Sequence, residues 1–452
     1  MRRRGGVMRV RTLMVAVCLL GSVALPRLAE AQTAPPASAT LPSSWGMQEI
    51  AGRVRQLDPR LRATAAEQMI AHVAERRARW NRVRGGIGLH AGYGVTSTGW
   101  LPTETMERRT RDHATAAATA EIRLPLYAGG RLSAGLEAAE AQLRMARHDH
   151  AAMQLHLTTA AWIVYAEALA AGDQVHVSEH ALSRARDLLD MARKKREAGI
   201  DTEADVARAE LNLVRYEEDV VVQQGALRTA LAGLRSALLL DDRQPLRLRG
   251  SLSDLAQHRA SPAPTHPDVA RSRAAVDQAR AHLREAESGY LPSVELFALG
   301  QYGNSLPGDP AAPLHDERFG PLSGSWATGV QAGWTVFDFF ATRDQVATSE
   351  ALLAARRADH DTTSFLLAQR RNDARHRKAA ATDRLEVLGA GRQTAQRALT
   401  LARARYQTGN ATLTEVLTAE LEAIRLDSNR VTASLDLALA HIDGMQAEGS
   451  LP

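Results

Sequence analysis

Residues Ala192–Leu211 read ARKKREAGIDTEADVARAEL, and Ala402–Leu421 read ARARYQTGNATLTEVLTAEL. At a constant offset of 210 residues, Gly199 meets Gly409, Val206 meets Val416, and Ala209-Glu210-Leu211 meets Ala419-Glu420-Leu421. The same offset pairs Tyr127 with Phe337, Glu140-Ala141 with Glu350-Ala351, and Leu143 with Leu353. Asp58-Pro59 resembles His266-Pro267 at nearly that spacing. Matches that recur in one order along a chain are the mark of an internal duplication. The expected organisation is a first repeat over residues 32–240, a connecting segment over 241–265 and a second repeat over 266–452.

Around these stretches the chain is built for long helices. No proline lies between Pro125 and Pro245, or between Pro321 and Pro452, so nothing interrupts the helical hydrogen-bond ladder there. Leu132, Leu136, Ala139, Leu143, Ala146, Met153, Leu157 and their successors to Ala192 recur at alternating spacings of three and four. Val206, Ala209, Leu213, Tyr216 and Val220 continue the rule, as do Leu417, Leu421, Ile424, Val431, Leu435, Ala438 and Ile442. That period belongs to helices supercoiled side by side. A helix from Arg131 to Ala198 would be about 100 Å long. Gly199 and Gly409 suit the left-handed residue that ends a helix. Thr202-x-x-Asp205 and Thr412-x-x-Glu415 then supply capping-box starts for the returning helices.

Between the helices lie four strand candidates. Residues 87–95 and 118–124 alternate apolar with polar or glycine positions, a stretch near 294–302 alternates poorly, and Val330, Ala332, Trp334 and Val336 alternate with Gln331, Gly333 and Thr335. Aromatic residues gather here, among them Tyr93, Trp100, Tyr127, Tyr290, Tyr302, Phe319, Trp326, Trp334, Phe337, Phe339 and Phe340. Strands apolar on one face and fringed by aromatics suit a membrane barrel. Four strands cannot close, because β structure in lipid must leave no unpaired edge and the smallest common barrels have about eight strands. If these strands enter a membrane, the chain must oligomerise.

The duplication, the Tyr127-Ala128-Gly129-Gly130-Arg131 junction and the paired turns make this chain resemble the TolC-like outer membrane efflux family. The resemblance implies a mainly α fold with a membrane β-barrel part: a duplicated strand pair plus a long coiled-coil helical hairpin, assembled as a trimeric β-barrel/α-barrel channel-tunnel. It further implies a homotrimer in the outer membrane lipid, reaching into the periplasm, with a periplasmic adaptor (membrane fusion protein) and an inner-membrane pump as partners in efflux or type I secretion. By the same carry-over, Tyr406, Glu415 and Asp205 are expected at a periplasmic gate. Gly199, Thr202, Gly409 and Thr412 are expected at the adaptor-facing tips. Two departures stand out: Ala411 occupies the place of the family's gate arginine, and the second junction reads Phe337-Asp338-Phe339-Phe340 without Gly-Gly. A periplasmic coiled-coil adaptor or scaffold that never enters the membrane is the rival reading. An adaptor of the familiar kind would show one hairpin, and here there are two.

Composition narrows the remaining classes. An Arg-rich start, an apolar run from Leu13 to Leu25 and the small residues Ala29 and Ala31 have the layout of a cleavable export signal over residues 1–31. That run is shorter than the ~20 residues that span a bilayer. Residues 1–31 hold six arginines and one acid, Glu30, so without them 56 basic and 51 acidic residues become 50 of each. A neutral chain gives no support for a nucleic-acid partner. The single cysteine, Cys18, lies inside the signal, which excludes disulfides and thiol chemistry from the processed chain. His148-Asp149-His150 has the look of a metal site, but residues two apart on a helix face different ways. Gly85-Gly86-x-Gly88 precedes a strand, not a dinucleotide-binding helix, and the Arg370–Lys378 run reads as a solvated face. No catalytic, cofactor or metal constellation is expected. N-terminal sequencing of the protein from the cell envelope should start near Gln32, and an intact Met1 or Met8 would contradict the signal assignment.

Overall fold

The proline-free stretches fold as two helices of identical length, Arg131–Glu197 and Ala341–Gln407, each of 67 residues. In the computed structural model, which describes residues 44–98, 109–241, 244, 246–258, 264–304 and 322–450, the elements run in the following order. They are α1 (Met47–Leu57), α2 (Pro59–Trp80), β1 (Arg84–Thr98), β2 (Arg109–Tyr127), α3 (Arg131–Glu197), α4 (Glu203–Ala237) and α5 (Leu252–Gln257). After these come α6 (Pro267–Glu287), β3 (Ser293–Asn304), β4 (Leu322–Gly333), α7 (Ala341–Gln407) and α8 (Leu413–Glu448). The expected signal segment, its cut after Ala31, and the aromatics Trp100 and Phe319 lie outside the described residues. All described elements fall within one unit, Trp45–Pro452.

The duplication is visible in how helices begin. Asp58 caps α2 by accepting from the backbone N–H of Arg60 at 2.8 Å, with Pro59 in the first turn. His266 caps α6 through Nδ1, 3.2 Å from the N–H of Asp268, with Pro267 in the same place. The strand-to-helix junctions also match. Gly129 and Gly130 have φ of 59° and 87°, and Phe339 and Phe340 have φ of 53° and 70°. The second repeat therefore keeps the left-handed pair without glycine, at about 1–2 kcal/mol per residue. Asp338 Oδ2 holds the turn by accepting from the N–H of Thr342 at 2.8 Å. The Phe337 ring meets those of Phe339 and Phe340 tilted and edge-on, with centroids 4.9 and 5.8 Å apart.

Packing arranges the helices in two rows. Where the long helices adjoin the sheet, α3 lies between α2 and α6, and α6 lies against α7. Toward the turns, α3 lies between α4 and α8, and α8 lies against α7. The order α4–α3–α8–α7 leaves α4 and α7 as edges. Because α8 touches α3, α5 and α7, its covered surface is wider than a single heptad seam. Near the turn it buries Leu413, Val416, Glu420 and Ala423, while Leu421, expected on the seam, is 50% exposed.

The strands form one antiparallel sheet in the order β1-β2-β3-β4. Cross-strand partners share a face, so the register sorts the side chains. One face carries Ile87, Leu89, Ala118, Ala120, Ile122, Leu124, Leu296, Ala298, Tyr302, Trp326 and Val330. The other carries His90, Thr119, Glu121, Arg123, Glu295, Gln301, Ser325 and Gln331, together with Phe297 and Leu299. Those last two explain the poor alternation of the third strand: apolar residues stand on both of its faces. On the polar face Arg123 bonds Glu121 and reaches Glu295 at 3.2 Å. The apolar face is uncovered in the single chain, with Ile87 84% and Trp326 82% exposed.

The main core sits at mid-height on α3. Trp45, Ile50, Val54, Leu61, Trp162, Tyr165, Leu234, Leu238, Leu252, Leu255 and Ile442 pack there. The segment before α1 and the connecting segment close over it, joined by the Trp45–Leu248 bridge, and a 3.1 Å hydrogen bond from Trp162 Nε1 to the carbonyl of Met47 ties α3 to the start of α1. Trp162→Ala should remove about 3–5 kcal/mol and lower the thermal midpoint of the detergent-solubilised protein. Trp326→Ala, on the open sheet face, should leave that midpoint in place.

Candidate functional site: the helical tips

Both hairpins turn on a left-handed glycine, Gly199 at φ 72° and Gly409 at φ 81°. The backbone then closes back, from the N–H of Ile200 to the carbonyl of Lys195 at 2.9 Å and from Asn410 to Arg405 at 2.8 Å. Two residues further on, the threonines cap the returning helices. The N–H of Asp205 donates to Thr202 Oγ1 at 3.2 Å, and Asp205 Oδ2 accepts from Thr202 Oγ1 at 2.6 Å and from its N–H at 3.2 Å. In the second tip the N–H of Glu415 donates to Thr412 Oγ1 at 3.3 Å, and Glu415 Oε1 accepts from the N–H of Thr412 at 3.5 Å. The Thr202 hydrogen bonds hold the Asp205 carboxyl below its usual range.

Tyr406 lies between the two tips, 1% exposed at the end of α7. Its hydroxyl donates to Asp201 of the first tip. Lys195, also from the first hairpin, donates to the Tyr406 carbonyl, and its Nζ stands 3.9 Å from the ring centroid. Burial, then the Asp201 bond, pushes the phenol well above its usual range. Leu188, Leu189, Ala192, Val206 and Ala209 of the first hairpin share a core here with Leu399, Tyr406, Leu413, Val416 and Ala423 of the second. The structure thus joins Tyr406 to Asp201 and Lys195, while the carboxylates of Asp205 and Glu415 serve their own caps.

Asp201 and Lys195 were not among the residues expected at this site. At the repeat offset Asp201 stands opposite Ala411, the position that lacks the family's arginine, so the offset pairs it with nothing chemical. Its partner is set by how one hairpin packs on the other, which helical periodicity does not encode.

Further from the turns is a second polar contact between the hairpins. Glu420 of α8 is fully buried. Its Oε1 accepts from Arg403 of α7 at 3.1 Å and lies 3.7 Å from Nε of Arg184 on α3. Burial raises the Glu420 carboxyl above its usual range, and the two guanidiniums pull the other way. Tyr216 on α4, close enough to feel this carboxylate, is pushed up to about 12, chiefly by burial.

The other flagged motifs resolve into ordinary contacts. His150 Nδ1 pairs with Thr64 Oγ1 at 2.9 Å, and Asp149 with Arg271 at 2.5 Å, so the two side chains leave the helix toward different partners. The second repeat repeats the first contact as His360 with Ser272 at 2.8 Å. Among the described residues no group of His, Cys, Asp and Glu is placed to hold a metal ion. No described helix is long and apolar enough to cross a membrane.

With this geometry, the chain belongs to the outer membrane efflux protein family, whose model matches residues 51–238 and again residues 264–447. It is 29% identical over 234 residues to Protein CyaE of Bordetella pertussis, across 50% of this chain and 48% of that protein. It is 26% identical over 192 residues to the fusaric acid resistance protein FusA of Burkholderia cepacia, across 39% of this chain and 33% of that one. The matched region therefore spans about half or less of either curated relative. Among solved structures, the outer-membrane channel OprN superposes with a TM-score of 0.72 at 18% identity, covering 90% of each chain. The outer membrane protein VceC of Vibrio cholerae does so at 0.71 and 18%, covering 89% of this chain and 96% of that one. These structures share the channel-tunnel fold.

Tyr406→Phe deletes the bond to Asp201 while keeping the buried ring. It should cost about 0.5–1.5 kcal/mol locally and speed amide exchange at Gly409 and Asn410 up to about tenfold. Exchange at Gly172, mid-helix in α3, should not change.

Proposed function

We propose that three copies of this chain form an outer-membrane channel-tunnel, the passive outer duct of a tripartite efflux or type I secretion system. The observation that carries this reading is the set of edges the single chain leaves open. Among the described residues β1 and β4 each pair on one side only. The helical row likewise ends at α4 and α7. On α7, Leu352, Phe365, Leu366, Val387 and Leu401 are exposed, apolar surface that a neighbouring helix would cover. On α4, Leu211, Val214, Val221 and Val222 are exposed. Pairing β4 and α7 of one copy with β1 and α4 of the next satisfies both edges at once. Three copies then give twelve strands around a polar lumen and twelve helices below.

The apolar sheet face is what weighs against a scaffold that stays out of the membrane. In a barrel that face meets lipid and the Arg123 side lines the lumen. The adaptor-facing ends are Gly199, Thr202, Gly409 and Thr412, and an inner-membrane pump completes the duct. Tyr406, with Glu415 and Asp205 at the same end, forms the periplasmic gate, and Asp201 joins it through the Tyr406 hydroxyl. The resistance function named for one relative supports a small-molecule cargo.

Purified protein in detergent should scatter light as a trimer and conduct in planar bilayers. The Tyr406→Phe/Glu415→Gln double variant should raise single-channel conductance. A stable monomer without detergent would contradict the barrel, and unchanged conductance in the double variant would move the gate elsewhere.

A further inference from the structure

The two repeats contain the same ion pair in different surroundings. Arg193 and Glu210 of the first hairpin, 2.8 Å apart, are both about half exposed. Their counterparts at the repeat offset are Arg403 and Glu420, 3.1 Å apart, and here the carboxylate is wholly buried. The difference is a third charge: Arg184, reaching across from the first hairpin to Glu420 Oε1 at 3.7 Å. Its counterpart in the second repeat is Thr394, whose hydroxyl bonds its own helix at Ala390, so the triad occurs once per chain.

The triad is also incompletely satisfied. Glu420 Oε2 and Arg184 Nε are buried with no hydrogen-bond partner. A buried charge that loses its partner is strongly disfavoured, which makes the contact resist separation of the hairpins. We infer that Arg184–Glu420–Arg403 is a second latch of the channel, holding the two hairpins together from deeper in the tunnel than the Tyr406 contact. Glu420 is its positioning residue. The inference rests on the channel reading above. Four helices converge on the latch: Arg184 and Asp187 of α3, Tyr216 of α4, Arg403 of α7 and Glu420 itself on α8.

The test compares full-length protein in detergent and in planar bilayers. Arg184→Met removes only the cross-hairpin member, and Glu420→Gln removes the shared charge. Both should raise open probability about tenfold and speed amide exchange at the tips, with trimer mass unchanged. Arg184→Lys, which keeps the charge, should stay near wild type, and Glu210→Gln, in the exposed pair, should change neither readout. If Glu420→Gln fails to assemble, Arg184→Met decides. Wild-type gating and tip exchange in Arg184→Met would overturn the latch, as would an equal response in Glu210→Gln. A wild-type protein that never conducts would instead count against the channel reading, and tip exchange in Arg184→Met would still decide the latch.

Discussion

A strand edge carries a row of unpaired N–H and C=O groups, and hydrocarbon offers nothing to satisfy them. Every larger feature of this chain follows from that constraint. The sheet has one apolar face fit for lipid and two edges that cannot remain there. The helical row has the same defect in milder form, with exposed apolar surface on α7. The edges are aligned: β4 runs into α7 and β1 follows α2, so one seam between copies closes strands and helices together. The long helices transmit this closure to tips about 100 Å away, where the single chain already joins its two hairpins through Tyr406 and Glu420.

Duplication explains why the architecture is possible, and the contacts between the hairpins depart from it. Two copies of one unit give equal long helices, matching caps and matching left-handed junctions. A strict copy would, however, hold its hairpins symmetrically. Here three of the residues that join the hairpins have unlike counterparts at the offset: Asp201 against Ala411, Arg184 against Thr394, Tyr406 against Arg196. The Phe339-Phe340 junction is another departure, but there the backbone conformation was conserved and only the side chains changed.

Much of this was legible in the sequence, for a definite reason. Helix length follows from the absence of proline, hairpin position from Gly199 and Gly409, capping from Thr202 and Thr412, and the membrane face from alternation in the first two strands; the fourth, expected over 330–336, instead runs Leu322–Gly333 and leaves Trp334 and Val336 beyond its end. Each is a local property. What stayed hidden depends on one element meeting another. Glu420 lay off the expected seam because a helix between two neighbours buries two faces. Asp201 and Lys195 gave no signal because their partner sits in the other repeat. The third strand alternated poorly because Phe297 and Leu299 stand on the polar face, which only the register reveals.

The central claim is that α7 of one copy lies against α4 of the next. Val222 on α4 and Val387 on α7 are both exposed and stand nearly the same number of residues from their tips, so they share a height along the tunnel. Within one chain they are separated by α3 and α8, at 8–10 Å per helix contact, too far for a disulfide. Replacing Cys18, the one cysteine of the sequence, with serine removes any competing thiol. Oxidising the Val222→Cys/Val387→Cys protein should give covalent species of up to three chains on a non-reducing gel, with neither single variant doing so. A double variant that stays a monomer, or that forms its disulfide within one chain, would contradict the ring.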